Sequence, residues 1–113
     1  MSIKSIKRIV RDDINIQNNI NILNVKLGGT PNDYNHAQKR CDKRAICIEY
    51  IWIALYYGHK KRAIKALSYI IYDKCLYSTP YYKHISTLRG VCVIVDYDNT
   101  VITAYWLFKA KKH

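Results

Sequence analysis

The last quarter of the chain restricts its fold more than any other stretch. Gly90-Val91-Cys92-Val93-Ile94-Val95-Asp96-Tyr97 is rich in β-branched residues, and Thr100 to Phe108 is a second such run. Branching at Cβ crowds a helix and suits a pleated strand. Asp98-Asn99 lies between the two runs and suits a two-residue turn. That turn predicts a hairpin in which Val95 faces Ile102, Val93 faces Ala104 and Val91 faces Trp106. These six residues form one apolar face that must be covered, and Thr103 and Tyr105 point to the other face. A lone hairpin is only marginally stable in water, so other elements have to pack on it.

The cover comes from upstream. Ile48, Ile51, Trp52 and Leu55 make an apolar stripe that predicts a helix from Ile48 to Tyr57, with Gly58 as its cap. Before it, Asn35 to Ile46 reads as a helix with two faces. Tyr34, Ala37 and Cys41 form an inward stripe, while His36, Lys39, Arg40 and Lys43 share an outer face. Arg44 follows at i+8 from His36, near the end of the same face and at a bend, Arg44-Ala45-Ile46. An imidazole among fixed cations suits an acidic substrate, although a charged helix face can also simply meet water.

The remaining segments are less regular. Ile3, Ile6 and Val10 suggest a short amphipathic helix, and Ile16, Ile20, Leu23 and Leu27 suggest another, ended by Gly28-Gly29. Asparagines weaken that second helix, and Thr30-Pro31-Asn32-Asp33 reads as a turn. Residues 1–33 are therefore expected to be a partly helical N-terminal arm, and residues 34–113 the main domain. His59-Lys60-Lys61-Arg62 is a cationic cluster just past Gly58. Ala63 to Leu67 can continue as helix, Ser68 to Tyr72 reads as a strand, and Asp73-Lys74 as a turn. Cys75 to Ser78 reads as a further strand, broken at Thr79-Pro80, and His84 lies in a loop or strand beyond it. The whole predicts an α+β fold, N-terminal helices packed on a twisted antiparallel sheet of about four strands. Ala110-Lys111-Lys112-His113 makes a basic tail.

Charge narrows the partners. The chain has 113 residues, half of them hydrophobic, with 19 Lys and Arg against 8 Asp and Glu, a net charge of +11. That is enough for one small core, and the surplus predicts a polyanionic partner: nucleic acid, an anionic membrane surface or an acidic protein. Eleven tyrosines can fill cores or stack on bases. Four cysteines, at 41, 47, 75 and 92, contain no Cys-x-x-Cys pair, which argues against a zinc site and for free thiols in a reducing cytosol. The start lacks a signal-like apolar stretch, and the longest apolar run, Ile46 to Gly58, is too short to insert in a membrane. A cytoplasmic protein is expected, and a toxin delivered into another cell's cytosol would read the same way.

His36-Ala37-x-x-Arg40-x-x-x-Arg44-x-Ile46, the following helix ending in Gly58, and the hairpin Val93-Ile94-Val95-Asp96 with Val101-Ile102-Thr103-Ala104-Tyr105-Trp106 carry a resemblance. Together, over about residues 34–108, they resemble a small toxin-like domain of the barnase–EndoU–colicin–RelE superfamily of ribonucleases. Residues 59–90 are longer and more Tyr-rich than in that pattern, and residues 1–33 have no counterpart. The resemblance implies two helices on a twisted antiparallel sheet, with the site between the first helix and the sheet. It also implies a metal-independent endoribonuclease toxin without cofactor, acting on RNA, with tRNA one candidate, and neutralised by a cognate immunity protein or antitoxin.

Chemistry assigns roles to the same residues. Cutting RNA without a metal uses the ribose 2′-OH as nucleophile and needs a base, an acid and cations around the phosphorane. His36 is the acid–base candidate, since imidazole ordinarily titrates near neutrality. Arg40 and Arg44 can clamp a phosphate, and Thr103 and Tyr105 can donate hydroxyl hydrogen bonds to it. Lys39, Lys43, Lys60, Lys61, Arg62 and His84 are candidates for holding substrate, and His84 is a reserve imidazole. Two other readings stand beside this one: a non-catalytic nucleic-acid-binding module, and an inhibitor that uses its basic face on an acidic partner. Convergence of His36, Arg40, Thr103 and Tyr105 on one pocket separates catalysis from plain binding.

Overall fold

The structure, a computed structural model, describes residues 2–29 and 35–107. The turn expected at Thr30–Asp33, the inward Tyr34, Phe108 and the basic tail lie outside those residues. Helices α1 (Ser2–Asp12), α2 (Ile14–Gln17) and α3 (Ile20–Leu23) precede strand β1 (Lys26–Leu27). Helices α4 (His36–Lys43) and α5 (Ile48–Tyr57) follow, then strands β2 (His59–Arg62) and β3 (Leu67–Ile70). Two 3₁₀ turns, Asp73–Leu76 and Tyr82–His84, and helix α6 (Ile85–Leu88) lead to strands β4 (Val91–Val95) and β5 (Thr100–Trp106). The fold is α+β, with one sheet in the order β1-β5-β4-β3-β2.

The hairpin forms where expected but not in the expected register throughout. Val91 faces Trp106 and Val93 faces Ala104, yet Val95 faces Val101, with a bulge beside it. The turn is longer than two residues. Asp96 N–H donates to Thr100 O, Asn99 N–H donates to Asp96 O, and Asn99 takes φ 62°. Asp96 Oδ1 also accepts from Asp98 N–H and Thr100 N–H, an arrangement that suits the short carboxylate of aspartate. One extra residue on β5 then restores the alternation. Val101 is therefore buried in place of Ile102, which is 43% exposed.

Helix α5, apolar apart from Glu49, is covered on two sides. It packs on β3 and β4 and beneath α1, α2 and α3. Gly58 ends it in extended rather than left-handed geometry, with φ −67°. Glycine is required there for space: a Cβ would lie 2.4 Å from Ala54 O. Gly90, by contrast, sits at φ 88°, where a side chain would be strained.

The N-terminal residues are not an appendage. Ile6, Val10, Ile16 and Ile22 belong to the same core cluster as Ile51, Val93 and Val101. The single helix expected through Ile16 and Leu27 is broken twice. Asn19 accepts from Ile22 N–H as a cap, so Asn18-Asn19 punctuates the chain between α2 and α3. Lys26 and Leu27 then leave helical geometry to pair in parallel with Thr100 and Val101. Asp13, 5% exposed, ties this layer down. It caps α2 through Asn15 N–H and accepts from Tyr57 Oη at 2.7 Å and Tyr81 Oη at 2.8 Å.

The middle of the chain departs most from expectation. The cationic cluster 59–62 is an edge strand, paired antiparallel with β3. Ala63 to Ala66 is its connection, closed by Ala63 N–H to Ala66 O at 2.9 Å, not a helix. Cys75 lies in a 3₁₀ turn rather than a strand, and His84 ends the second such turn. Asp73, in the first of these turns, receives a bidentate Arg89 at 2.8 and 2.9 Å.

Candidate functional site

Alternation along the strands sorts the sheet into two faces. Val91, Val93, Val95 and Ala104 face the helices and are buried. His59, Ile70, Cys92 and Tyr105 stand opposite one another across β2, β3, β4 and β5 on the other face. The next row is Lys61, Ser68, Ile94 and Thr103. None of the described helices covers this second face through an apolar cluster of its own. Its small cluster is Ile70 and Cys92, flanked by Tyr72, Ile94, Tyr105 and Leu107. A cavity of about 320 Å³ opens beside it, with Lys61, Ser68, Cys92 and Tyr105 in its wall.

Helix α4 lies along β5, beyond the short β1. Ala37 and Cys41 bury its inner stripe. At its end the backbone turns through Ala45, φ 56°, and Trp106 Nε1 donates to Arg44 O at 2.7 Å. That bond fixes Arg44 at the strand edge. Its Nη1 donates to Ala104 O at 2.7 Å and to Thr103 Oγ1 at 3.2 Å. The guanidinium thus satisfies an edge carbonyl that β1 is too short to reach, and it brings a cation to the rim of the open face.

Tyr105 is close enough to feel that charge. Its phenol is pushed above the ordinary tyrosine value by its hydrogen bond with Cys92, then by burial, while Arg44 pulls the other way. It is therefore suited to donate a hydrogen bond rather than to act as a base. Burial raises the Cys92 thiol in turn, which disfavours the thiolate and nucleophilic use of that cysteine.

Arg44, Thr103 and Tyr105 are thus brought together. Arg40 and His36 lie on the same line of α4, one and two turns back respectively, Arg40 exposed and His36 half-buried. Eight residues of helix rise about 12 Å, so His36 stands at the far end of α4 from the Arg44–Thr103 contact. Ala37 N–H to Gly28 O and Gly28 N–H to Val101 O place that end beside Val101. Lys39 and Lys43 are exposed on α4. Lys60, Lys61 and Arg62 are on β2, three strands from β5 and so about 14 Å across the sheet. His84 closes a 3₁₀ turn and is not in this group.

No protein-family model, curated protein or solved structure matches this chain. The site therefore has to be read from its own chemistry. Among the described residues no cluster of three or more His, Cys, Asp or Glu side chains could hold a metal ion, and no helix is long and apolar enough to cross a membrane. All four cysteines are unpaired thiols.

Sequence reasoning put Thr103 and Tyr105 on the open face but missed the row that carries His59. His59, 5.8 Å from the Tyr72 ring, shares a row with Tyr105 across the sheet. Reading His59–Arg62 and Leu67–Ile70 as a hairpin across the 63–66 connection would have placed His59 and Lys61 on one face with Ser68 and Ile70.

Proposed function

We propose that this chain binds RNA across the open sheet face and the α4–β5 edge and cleaves it without a metal. The observation that carries the proposal is Arg44, held on Thr103 beside Tyr105 at the rim of an open sheet face whose far side carries His59 and Lys61. Cations at two sides of an aromatic, hydroxyl-bearing surface suit a flexible polyanion with stackable bases.

In this reading a phosphate sits over Arg40 and Arg44, which stabilise the charge that develops as the 2′-oxygen attacks phosphorus. His36 takes the 2′-OH proton, and Thr103 or Tyr105 donates a hydrogen bond to a non-bridging oxygen. The P–O5′ bond breaks and the leaving oxygen is protonated from solvent. The products are a 2′,3′-cyclic phosphate and a 5′-hydroxyl. A toxin held in check by an immunity protein or antitoxin and acting in a cytoplasm is the biological setting that the sequence resemblance suggests.

The distance along α4 favours a second reading. With His36 at the other end of the helix from the Arg44–Thr103 contact, the same surface works as a non-catalytic RNA-binding module. Incubation with total RNA in EDTA decides between them. New 2′,3′-cyclic phosphate ends that require His36 support cleavage. Intact RNA that is bound but never cut leaves the binding module, and RNA neither bound nor cut defeats both.

A further inference from the structure

A second cleft, of about 480 Å³, opens on the helix side of the sheet, away from the Arg44–Thr103 contact. Leu55 of α5 and Leu67 and Tyr69 of β3 contribute to its apolar wall. Asn21 of α3 and the turn residues Asp96, Tyr97 and Asn99 make its polar side. The cleft is held open by bonds that do not involve a ligand. Asn99 Nδ2 donates to Asn21 O at 2.7 Å and fixes α3 to the hairpin turn. Tyr97 Oη donates to Ala63 O at 2.8 Å, tethering a ring that remains 58% exposed. Asp96 Oδ1 is occupied by two turn amides, and Oδ2 has no partner among the described residues.

Among the described residues no lysine or arginine lines this cleft, although the chain carries 19 of them. Cations stand at its border instead. Arg62 pairs with Leu67 and Lys60 with Tyr69 across the β2–β3 ladder, so both share the face onto which the cleft opens. Burial raises the Tyr69 phenol and the Arg62 charge acts against that rise, which puts the guanidinium near the Tyr69 side of the cleft. An uncharged ring with a charged group attached matches this layout better than a bare anion does.

We infer that this cleft seats one amino-bearing nucleobase of a single-stranded RNA, stacked against Tyr97, with the adjoining phosphate on Arg62 and Lys60. The inference rests on the RNA reading above and adds a base preference to it. Asp96 Oδ2 can only accept, so it favours the exocyclic amino groups of adenine, cytosine and guanine. Uracil presents its imino N–H between two carbonyl oxygens, which repel a carboxylate.

The test uses the full chain and 2′-O-methyl hexanucleotides, which lack the nucleophile for cleavage and therefore report binding alone. Hexa-adenylate and hexacytidylate should bind about tenfold more tightly than hexauridylate, the effect of one charged hydrogen bond. Amide shifts in a nitrogen-15 spectrum should move at Tyr69, Tyr97 and Asn99. Asp96→Asn keeps an oxygen for the two turn amides, so its melting temperature should hold while the preference over hexauridylate disappears. Tyr97→Ala should weaken hexa-adenylate binding about fivefold or more, as loss of a stacking platform does. Equal binding of all three oligomers, with shifts confined to α4 and the outer face, overturns the base cleft and leaves RNA binding standing. No binding of any oligomer at low salt overturns both.

Discussion

Two side chains show how much a single residue carries here. Arg44 closes an edge carbonyl and supplies a cation, and Asp13 is a buried carboxylate answered by two phenols and a backbone amide. Asp13→Ala would strand the Tyr57 and Tyr81 hydroxyls and remove the α2 cap. Tyr81 is fully buried and Tyr57 half-buried; one orphaned buried donor costs about 1–3 kcal/mol and a lost cap about 1 kcal/mol, so the loss should reach roughly 2–4 kcal/mol in urea unfolding. A loss within experimental error would show that the phenols find other partners. At the site, His36→Ala should lower cleavage about 10²–10⁴-fold and leave RNA affinity nearly unchanged, because the imidazole moves a proton and adds little to ground-state binding. Quantified cyclic-phosphate ends and a filter-binding curve measure the two parts. Cleavage that survives intact in this variant removes His36 from the mechanism.

At the scale of elements, α5 joins the sheet to the three N-terminal helices, and its end is set by space. Gly58→Ala places a methyl against the Ala54 carbonyl, backbone that cannot step aside. A destabilisation of about 1–3 kcal/mol is expected, the range for forced overpacking. Calorimetry showing an unchanged melting temperature would mean that the α5–β2 junction can open. The same helix supplies a pH dependence. Tyr57 is raised from 10 to about 12, chiefly by burial, and its hydrogen bond to Asp13 adds to the rise. Below pH 10 folded and unfolded chains both hold this proton, so stability is unaffected. Between pH 10 and 12 the unfolded chain releases it and the folded chain does not, so stability falls as pH rises. Tyr81 is pushed in the same direction by burial and by Asp13. Urea midpoints at pH 9 and pH 11 should therefore differ less in Tyr57→Phe than in the parent. An identical drop in both would assign the alkaline loss elsewhere.

For the molecule as a whole the dominant fact is charge. Among the described residues one Arg–Asp salt bridge, Arg89–Asp73, is formed, against a net charge of +11. Basic residues lie on α1, α4 and β2, the last an edge strand exposed at all four positions. Lysines on such an edge also discourage pairing with another sheet. RNA affinity should fall steeply with salt, with log K linear in log salt and a slope of about −0.7 per phosphate neutralised on a single strand. Replacing Lys60 and Lys61 together should make that slope shallower by about one unit or more. A flat salt dependence would mean that binding is not electrostatic.

Local sequence determined the pieces whose cause is local. The β4 and β5 runs are rich in β-branched residues, α5 is apolar apart from Glu49, and the α4 stripe of Ala37 and Cys41 repeats at helical spacing, so their type follows from neighbouring residues. Local sequence also put Arg44, Thr103 and Tyr105 on one list, through a resemblance and the chemistry of their side chains. Only the tertiary structure decided the rest, because its causes lie far apart in the chain. Leu27 is a strand residue because β5 offers it a partner, not because of its neighbours. His59–Arg62 becomes a strand because β3 is beside it, although lysines have little strand preference. The bulge that exchanges Val101 for Ile102 depends on how Asp96 ties its turn. The N-terminal helices join the core because Asp13 meets two tyrosines 44 and 68 residues away. The separation of about 12 Å along the helix between His36 and Arg44 follows from helix rise alone. That it separates the acid–base candidate from the phosphate clamp depends on Arg44 being fixed on Thr103 and Ala104, across 59 and 60 residues of chain.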